Sequence, residues 1–154
     1  MANAVARTYT SRRKAIAEAL KDLFIDKING ASPMRNNVAA ATTRLTFWDE
    51  VTDFPTVQIG TGSETREYNS GGFRFRFLRV TIRCYVHETD DVTEALESLL
   101  EDVETVLEDN DPFTYYDSTG ASQSTAQTTI LAVDTDEGVL EPLGVGEITV
   151  EIRY

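Results

Sequence analysis

The stretch Phe73-Arg74-Phe75-Arg76-Phe77-Leu78-Arg79-Val80-Thr81-Ile82-Arg83-Cys84-Tyr85-Val86-His87 decides how the rest of the chain is read. Its first residues put Phe73, Phe75 and Phe77 on one face and Arg74 and Arg76 on the other. From Leu78 onward the apolar set becomes Leu78, Val80, Ile82, Cys84 and Val86, so the apolar phase slips by one residue. Strand side chains alternate strictly, and an uninterrupted strand would send the two apolar sets to opposite faces of a sheet. Two arrangements reconcile the slip. In one, a β-bulge or bend near Phe77-Leu78 returns both sets to a single core. In the other, the Phe73 end leaves the sheet as a projecting β-hairpin arm whose aromatics bury against a neighbouring subunit, while Leu78 to Val86 lies on the parent core. Phe73, Phe75 and Phe77 left bare on a monomer would form an apolar patch of the kind that marks an interaction site.

On the C-terminal side of this stretch, Asp91-Val92-Thr93-Glu94 has the spacing of a capping box. Val92, Ala95, Leu96, Leu99, Leu100, Val103, Val106 and Leu107 hold helical period to about Asp109, and Pro112 ends the helix. The opposite face carries Glu94, Glu97, Glu101, Asp102, Glu104, Glu108 and Asp109 without a base. Like charges three and four residues apart destabilise a helix by roughly 0.2–0.5 kcal/mol per pair. Such a face is either simply solvated or neutralised by bases from outside the helix. Residues 112–128 read as a long Ser/Thr/Gln-rich loop. Strands follow at 129–133 and 147–154, the second with Ile148, Val150, Ile152 and Tyr154 on one face, separated by a turn-rich segment at 134–144.

On the N-terminal side, residues 11–29 form an amphipathic helix through Ile16, Leu20, Leu23, Phe24 and Ile28, stopped by Asn29-Gly30. Arg12, Arg13 and Lys14 sit in its first turn, the unfavourable end for cations, as a solvated face or as a contact for a partner. Residues 44–48 and 55–59 read as short strands, Gly60-Thr61-Gly62 as a turn, and 60–72 as a long exposed loop. These elements predict an α+β fold: a mainly antiparallel sheet with two amphipathic helices packed on one face.

A chain of 154 residues suits one domain, 1–154, with 1–10 flexible. Hydrophobic residues are 41% and charged residues 26%, which excludes wholesale disorder. No apolar run is long enough to cross a bilayer, and the start lacks the apolar stretch of a secretory signal, pointing to a cytoplasmic origin and no membrane partner. The net charge is −12 and unevenly distributed. Residues 1–83 carry 13 basic and 8 acidic side chains, net +5, whereas 84–154 carry one basic and 18 acidic, net −17. If the halves present different surfaces, copies can associate head to tail into a ring or filament. If they interleave, the charges neutralise internally.

Catalytic chemistry finds few materials. His87 is the single imidazole and no Gly-x-Ser-x-Gly surrounds a serine, so a hydrolase built on His87 is the enzymatic alternative and a weak one. One cysteine and one histidine cannot make a zinc cluster, and Cys84 falls on an apolar phase as a buried thiol. Gly60-Thr61-Gly62 lacks the lysine of a phosphate loop, and Asp134-Thr135-Asp136-Glu137-Gly138 lacks the closing glutamate of a calcium loop. No cofactor or metal is expected. Arg74, Arg76, Arg79 and Arg83 with interleaved aromatics form the one candidate strip for a nucleic-acid strand. The strongly acidic chain favours instead carboxylates of another subunit as their partners.

The order of features resembles the tail terminator (minor tail protein U-like, tail-completion) family of long-tailed bacteriophages. The residues that carry the likeness are Phe54-Pro55-Thr56-Val57-Gln58-Ile59-Gly60, leading through Glu64 into Arg79-Val80-Thr81-Ile82-Arg83-Cys84-Tyr85-Val86 and then the acidic helix at 91–107. The likeness spans 11–154. It implies an α+β virion protein without enzyme activity, assembling as a ring, usually of six copies. The ring would cap the tail tube at its head-proximal end, stop tube polymerisation and dock the head through a head-completion or neck protein, with DNA passing through the lumen. On this reading Phe73, Phe75, Phe77, Arg74, Arg76, Arg79 and Arg83 meet a neighbouring copy or the tube, the arginines facing Glu97, Glu101, Glu104 and Glu108. The alternative within assembly proteins is a head-closure component, told apart by whether the protein binds tubes or filled heads.

Overall fold

A computed structural model describes residues 11–154, so the expectation for 1–10 lies outside it. The first helix, α1 (Arg12–Lys27), starts where the Ser11 hydroxyl accepts a hydrogen bond from Lys14 N at 3.1 Å. Ile16, Leu20, Phe24 and Ile28 are all buried, as their spacing requires. The chain then turns at Gly30, whose φ of +82° is a backbone state that a side chain would strain. The second helix, α2 (Val92–Asp109), is capped by the Asp91 carboxylate, which accepts from Glu94 N at 3.1 Å.

Five strands make the main sheet: β1 (Ala40–Thr42), β2 (Thr56–Tyr68), β3 (Arg74–His87), β6 (Gln127–Thr135) and β7 (Leu143–Arg153), in the order β1-β2-β3-β7-β6. The pair β1–β2 is parallel and the others are antiparallel. Between β3 and β6 in sequence, β4 (Thr114–Tyr116) and β5 (Ser122–Ser124) form a separate hairpin. The even-numbered residues of β3 from Leu78 to Val86 join Val57, Ile59, Ile148, Val150 and Ile152 in one core beneath both helices. Burying side chains of this size contributes about 1.5–3 kcal/mol each. Helix α2 can lie close on β7 because β7 offers glycines beneath it: a Cβ at Gly144 would stand 2.8 Å from Val86 Cγ2 and 2.9 Å from Val92 Cγ2.

Several sequence expectations change. Residues 60–68 are not a loop: they continue β2 antiparallel to β3, and the register shift lies between Thr61 and Glu64 on β2. Most side chains there are polar and exposed, so composition imitates a loop while the backbone pairs with β3 on either side of the shift. The segment 112–128 carries the β4–β5 hairpin, and Phe113 and Tyr115 are buried. Residues 44–48 are not a strand: they cross outside the sheet and end in a 3-10 turn, Trp48–Glu50. They are held by buried Gln58, whose amide donates to the Thr46 hydroxyl and accepts from Thr46 N at 3.3 Å.

Candidate assembly surfaces

The phase slip in β3 is resolved without a bulge in that strand. Register with β7 runs unbroken from Phe77↔Arg153 to His87↔Leu143. The two apolar sets therefore do point to opposite faces, Leu78 to Val86 toward the helices and Phe73, Phe75 and Phe77 toward the open face of the sheet. Arg76 still exchanges two backbone hydrogen bonds with Tyr154, at 3.2 and 2.9 Å; beyond it β3 pairs with β2 alone, down to Tyr68↔Arg74. This is the projecting hairpin arm, and Phe73 at its tip is 68% exposed.

The arm is fixed at its root. The Glu64 side chain is only 6% exposed; it receives Arg66 Nε at 2.9 Å and the Tyr154 hydroxyl. Burial alone would raise the Glu64 carboxyl, but the bonds from Tyr154 and Arg66 outweigh it and hold the pKa below the ordinary value. The same contact, after burial itself, pushes the Tyr154 hydroxyl up to about 12. Arg13 of α1 donates to the carbonyl of Gly62, so part of the basic first turn serves the arm's root. Guanidinium groups stack along the arm: Arg76 over Tyr154 at 5.7 Å, Arg153 over Phe75 at 5.4 Å and Arg74 over Tyr68 at 5.9 Å.

The four arginines do not form one strip. Arg74 and Arg76 share the helix-side phase, whereas Arg79 and Arg83 share the open-face phase with the phenylalanines. On that open face Arg83 Nε meets Glu147 at 2.8 Å and Arg79 meets Glu151 at 3.7 Å, both on β7. These pairs bridge the line where the basic and acidic parts of the sequence meet. Residues 1–83 supply α1, β1, β2 and most of β3; the remainder supplies α2, β7 and β6. Within the sheet the excess of base lies on the central strand β3, with Arg74, Arg76, Arg79 and Arg83, while β2 and β7 each carry two acids and one arginine; the acids gather on α2, with seven and no base.

The acidic face of α2 is less uniform than its sequence. Arg35 reaches Glu101 at 3.0 Å. Asp102 is buried, and its Oδ2 accepts from Arg35 N at 3.0 Å, Asn36 N at 2.9 Å and Asn36 Nδ2 at 2.8 Å. Asp102 thus belongs to the scaffold. Glu97, Glu104 and Glu108 remain as a row, and the Glu104 pKa is raised by burial first and then by Glu108, Glu101 and Glu97. At the far end of the open face from the arm lies a groove of about 400 Å³ between the 45–48 segment and the sheet, with Tyr85 and Val145 in its lining. Leu45, Phe47 and Trp48 along it are 57%, 69% and 48% exposed.

A family model described as "Bacteriophage Tail Tube Terminator Protein" matches residues 10–154. The tail tube terminator protein p142 of Escherichia phage T5 is 34% identical over 149 residues, covering 92% of each chain. The chain belongs to the bacteriophage tail tube terminator family. A chain from the virion of a native gene transfer agent (GTA) particle shares the fold, with a TM-score of 0.58 at 9% identity over 95% of this terminator and 98% of that chain.

The family is one of structural tail proteins, and this terminator's candidate catalytic groups sit accordingly. The His87 ring packs on Phe54, with centroids 5.5 Å apart, and among the described residues no hydrogen bond joins it to a serine or carboxylate. Cys84 is buried, and burial pushes its thiol up to about 12. Among the described residues no cluster of metal-ligating side chains occurs, and no helix is long and apolar enough to cross a membrane. The Asp136 carboxylate caps its own turn, accepting from Leu140 N at 3.2 Å and from Gly138 N and Val145 N at 3.4 Å each. No pattern in the sequence signals the groove, because the 45–48 segment and β6 approach only through the fold.

Proposed function

We propose that this tail terminator closes into a ring of copies arranged head to tail, caps the tail tube at its head-proximal end, stops tube polymerisation and presents the surface that a head-completion protein docks on. The observation that carries the ring is the uneven placement of charge between elements, arginines on β3 and its arm and seven acids without a base on α2. Beyond the pairs that Arg35, Arg79 and Arg83 close within one copy, patches of opposite sign on different parts of the molecule are complementary between copies, which favours a heterologous contact. The arm adds a second asymmetric feature, with Phe73, Phe75 and Phe77 aimed at a neighbour or the tube. Arg74 and Arg76 travel with the arm, while Arg79 and Arg83 act at the seam with β7. Glu97, Glu101, Glu104 and Glu108 suit a lumen that repels the phosphate backbone and lets DNA pass without binding. The virion tail is then the site of action, after assembly in the host cytoplasm.

Native mass and negative-stain imaging, alone and with purified tail tubes, test the reading. Six copies of 17.1 kDa make a ring of about 103 kDa, expected at tube ends. A monomer indifferent to tubes but bound by filled heads would replace the terminator role with head closure. Full function after His87→Ala is expected; its loss would revive catalysis.

A further inference from the structure

We infer that the aromatic tip of the arm, Phe73 foremost, seats in the groove beside Leu45, Phe47 and Trp48 of a second copy of this chain. The inference rests on the ring reading and specifies its contact. Both features lie on the open face of the sheet but at opposite ends of it. From Phe75 to Arg83 in the groove lining is eight residues of continuous strand, roughly 26 Å at a rise of about 3.3 Å per residue. The unbroken β3–β7 register aims the arm away from the groove, so no copy fills its own. The contact joins two different patches and is therefore heterologous, repeating around a closed ring.

The chemistry matches on both sides. The tip offers an exposed phenylalanine and, next to it, Arg74, whose guanidinium among the described residues meets only the ring of Tyr68. The groove offers exposed aromatic walls and, on its β6 side, the exposed carboxylate of Asp134, which has no hydrogen bond or ion pair among the described residues. Aromatic anchors and arginine are enriched at the centre of protein contacts, and the carboxylate opposite gives the arginine a partner. The arm carries Arg66, Arg74 and Arg76 against Glu64 and Glu67, and the groove lining carries Asp134, Asp136 and Glu147 against Arg83. Docking thus brings together two patches of opposite net charge. Each patch alone would leave large apolar side chains in water on an otherwise highly charged protein.

The double variant Phe73→Cys/Phe47→Cys, assembled with purified tail tubes and treated with a short bismaleimide, tests the contact. Cys84 is buried and does not compete. The expected result is a covalent ladder in steps of one 17.1-kDa copy, with each single variant remaining at one copy. Rings without a ladder would overturn the docking and leave the ring standing; neither rings nor ladder would overturn both. Dimers from Phe73→Cys alone would mean that arms meet arms, and would also overturn it. Trp48 is the only tryptophan and supplies an independent readout. Its emission is expected to shift to the blue on assembly, and Phe73→Ser is expected to abolish that shift and weaken association roughly tenfold or more. A shift that persists in assembled Phe73→Ser would mean that a tube subunit or residues 1–10 cover the groove instead, and the inference would fall.

Discussion

Asp102 sits in a helix rich in acids, and three donors from residues 35 and 36 converge on one of its oxygens. Removing the carboxylate orphans two backbone N–H groups, so Asp102→Ala is expected to cost about 2–4 kcal/mol in urea denaturation, and Asp102→Asn less. Gly144 is constrained by space: Gly144→Ala should cost about 1–3 kcal/mol, with part recovered when Val86→Ala is added. Tyr154 has a pH signature. Its folded pKa of about 12 lies above the ordinary value of 10, so its contribution is full below pH 10 and lost as pH rises through about 12. Burial raises Cys84, Tyr85 and Tyr115 as well, so alkaline unfolding followed by circular dichroism should be blunted, not removed, by Tyr154→Phe. Glu64 works in the opposite direction. Its lowered pKa contributes stability above the ordinary carboxylate range that is lost as pH falls through the folded value.

Among the elements, α2 shows how one helix divides its tasks. Its apolar stripe was legible in the 3.6-residue period, and its N-cap in Asp91-Val92-Thr93-Glu94. Its acidic face was legible as charge but not as function, because Arg35 and Asn36 reach it from a segment more than sixty residues away. The raised Glu104 pKa means that the folded state holds a proton there more readily, an advantage present at low pH and lost as pH rises through the folded value. Glu104→Gln should therefore stabilise the protein at pH 7 by about 0.2–0.5 kcal/mol, solvent screening keeping the gain small. Thermal melts at pH 7 and pH 4 check this: the gain should vanish at the lower pH. The hairpin arm is the element that sequence read least directly. Alternation in Phe73 to Phe77 announced it, but its partner strand, 62–68, is polar on both faces and lacked the periodicity by which strands are recognised.

For the whole molecule, the gathering of arginines on β3 and of acids on α2 predicts how assembly responds to salt. Long-range attraction between copies is screened as the Debye length falls to about 3 Å at 1 M, whereas a desolvated aromatic contact is not. Association followed by light scattering should slow with salt while dissociation changes little. An equal rise in the dissociation rate would point to an interface made of ion pairs alone.

Sequence by itself determined the two helices, the central and final strands, the buried thiol and the uneven charge, since each follows from local periodicity or simple counting. It also contained the slip of phase that separates Phe73, Phe75 and Phe77 from the core. Only the tertiary structure decided that the slip is an arm and not a bulge, because that depends on where β7 ceases to accompany β3. Pairing across the chain likewise split the four arginines between two faces, buried Asp102 and brought the 45–48 segment over the sheet to form a groove. Those outcomes rest on which distant backbone and side-chain groups meet, and no local pattern encodes that.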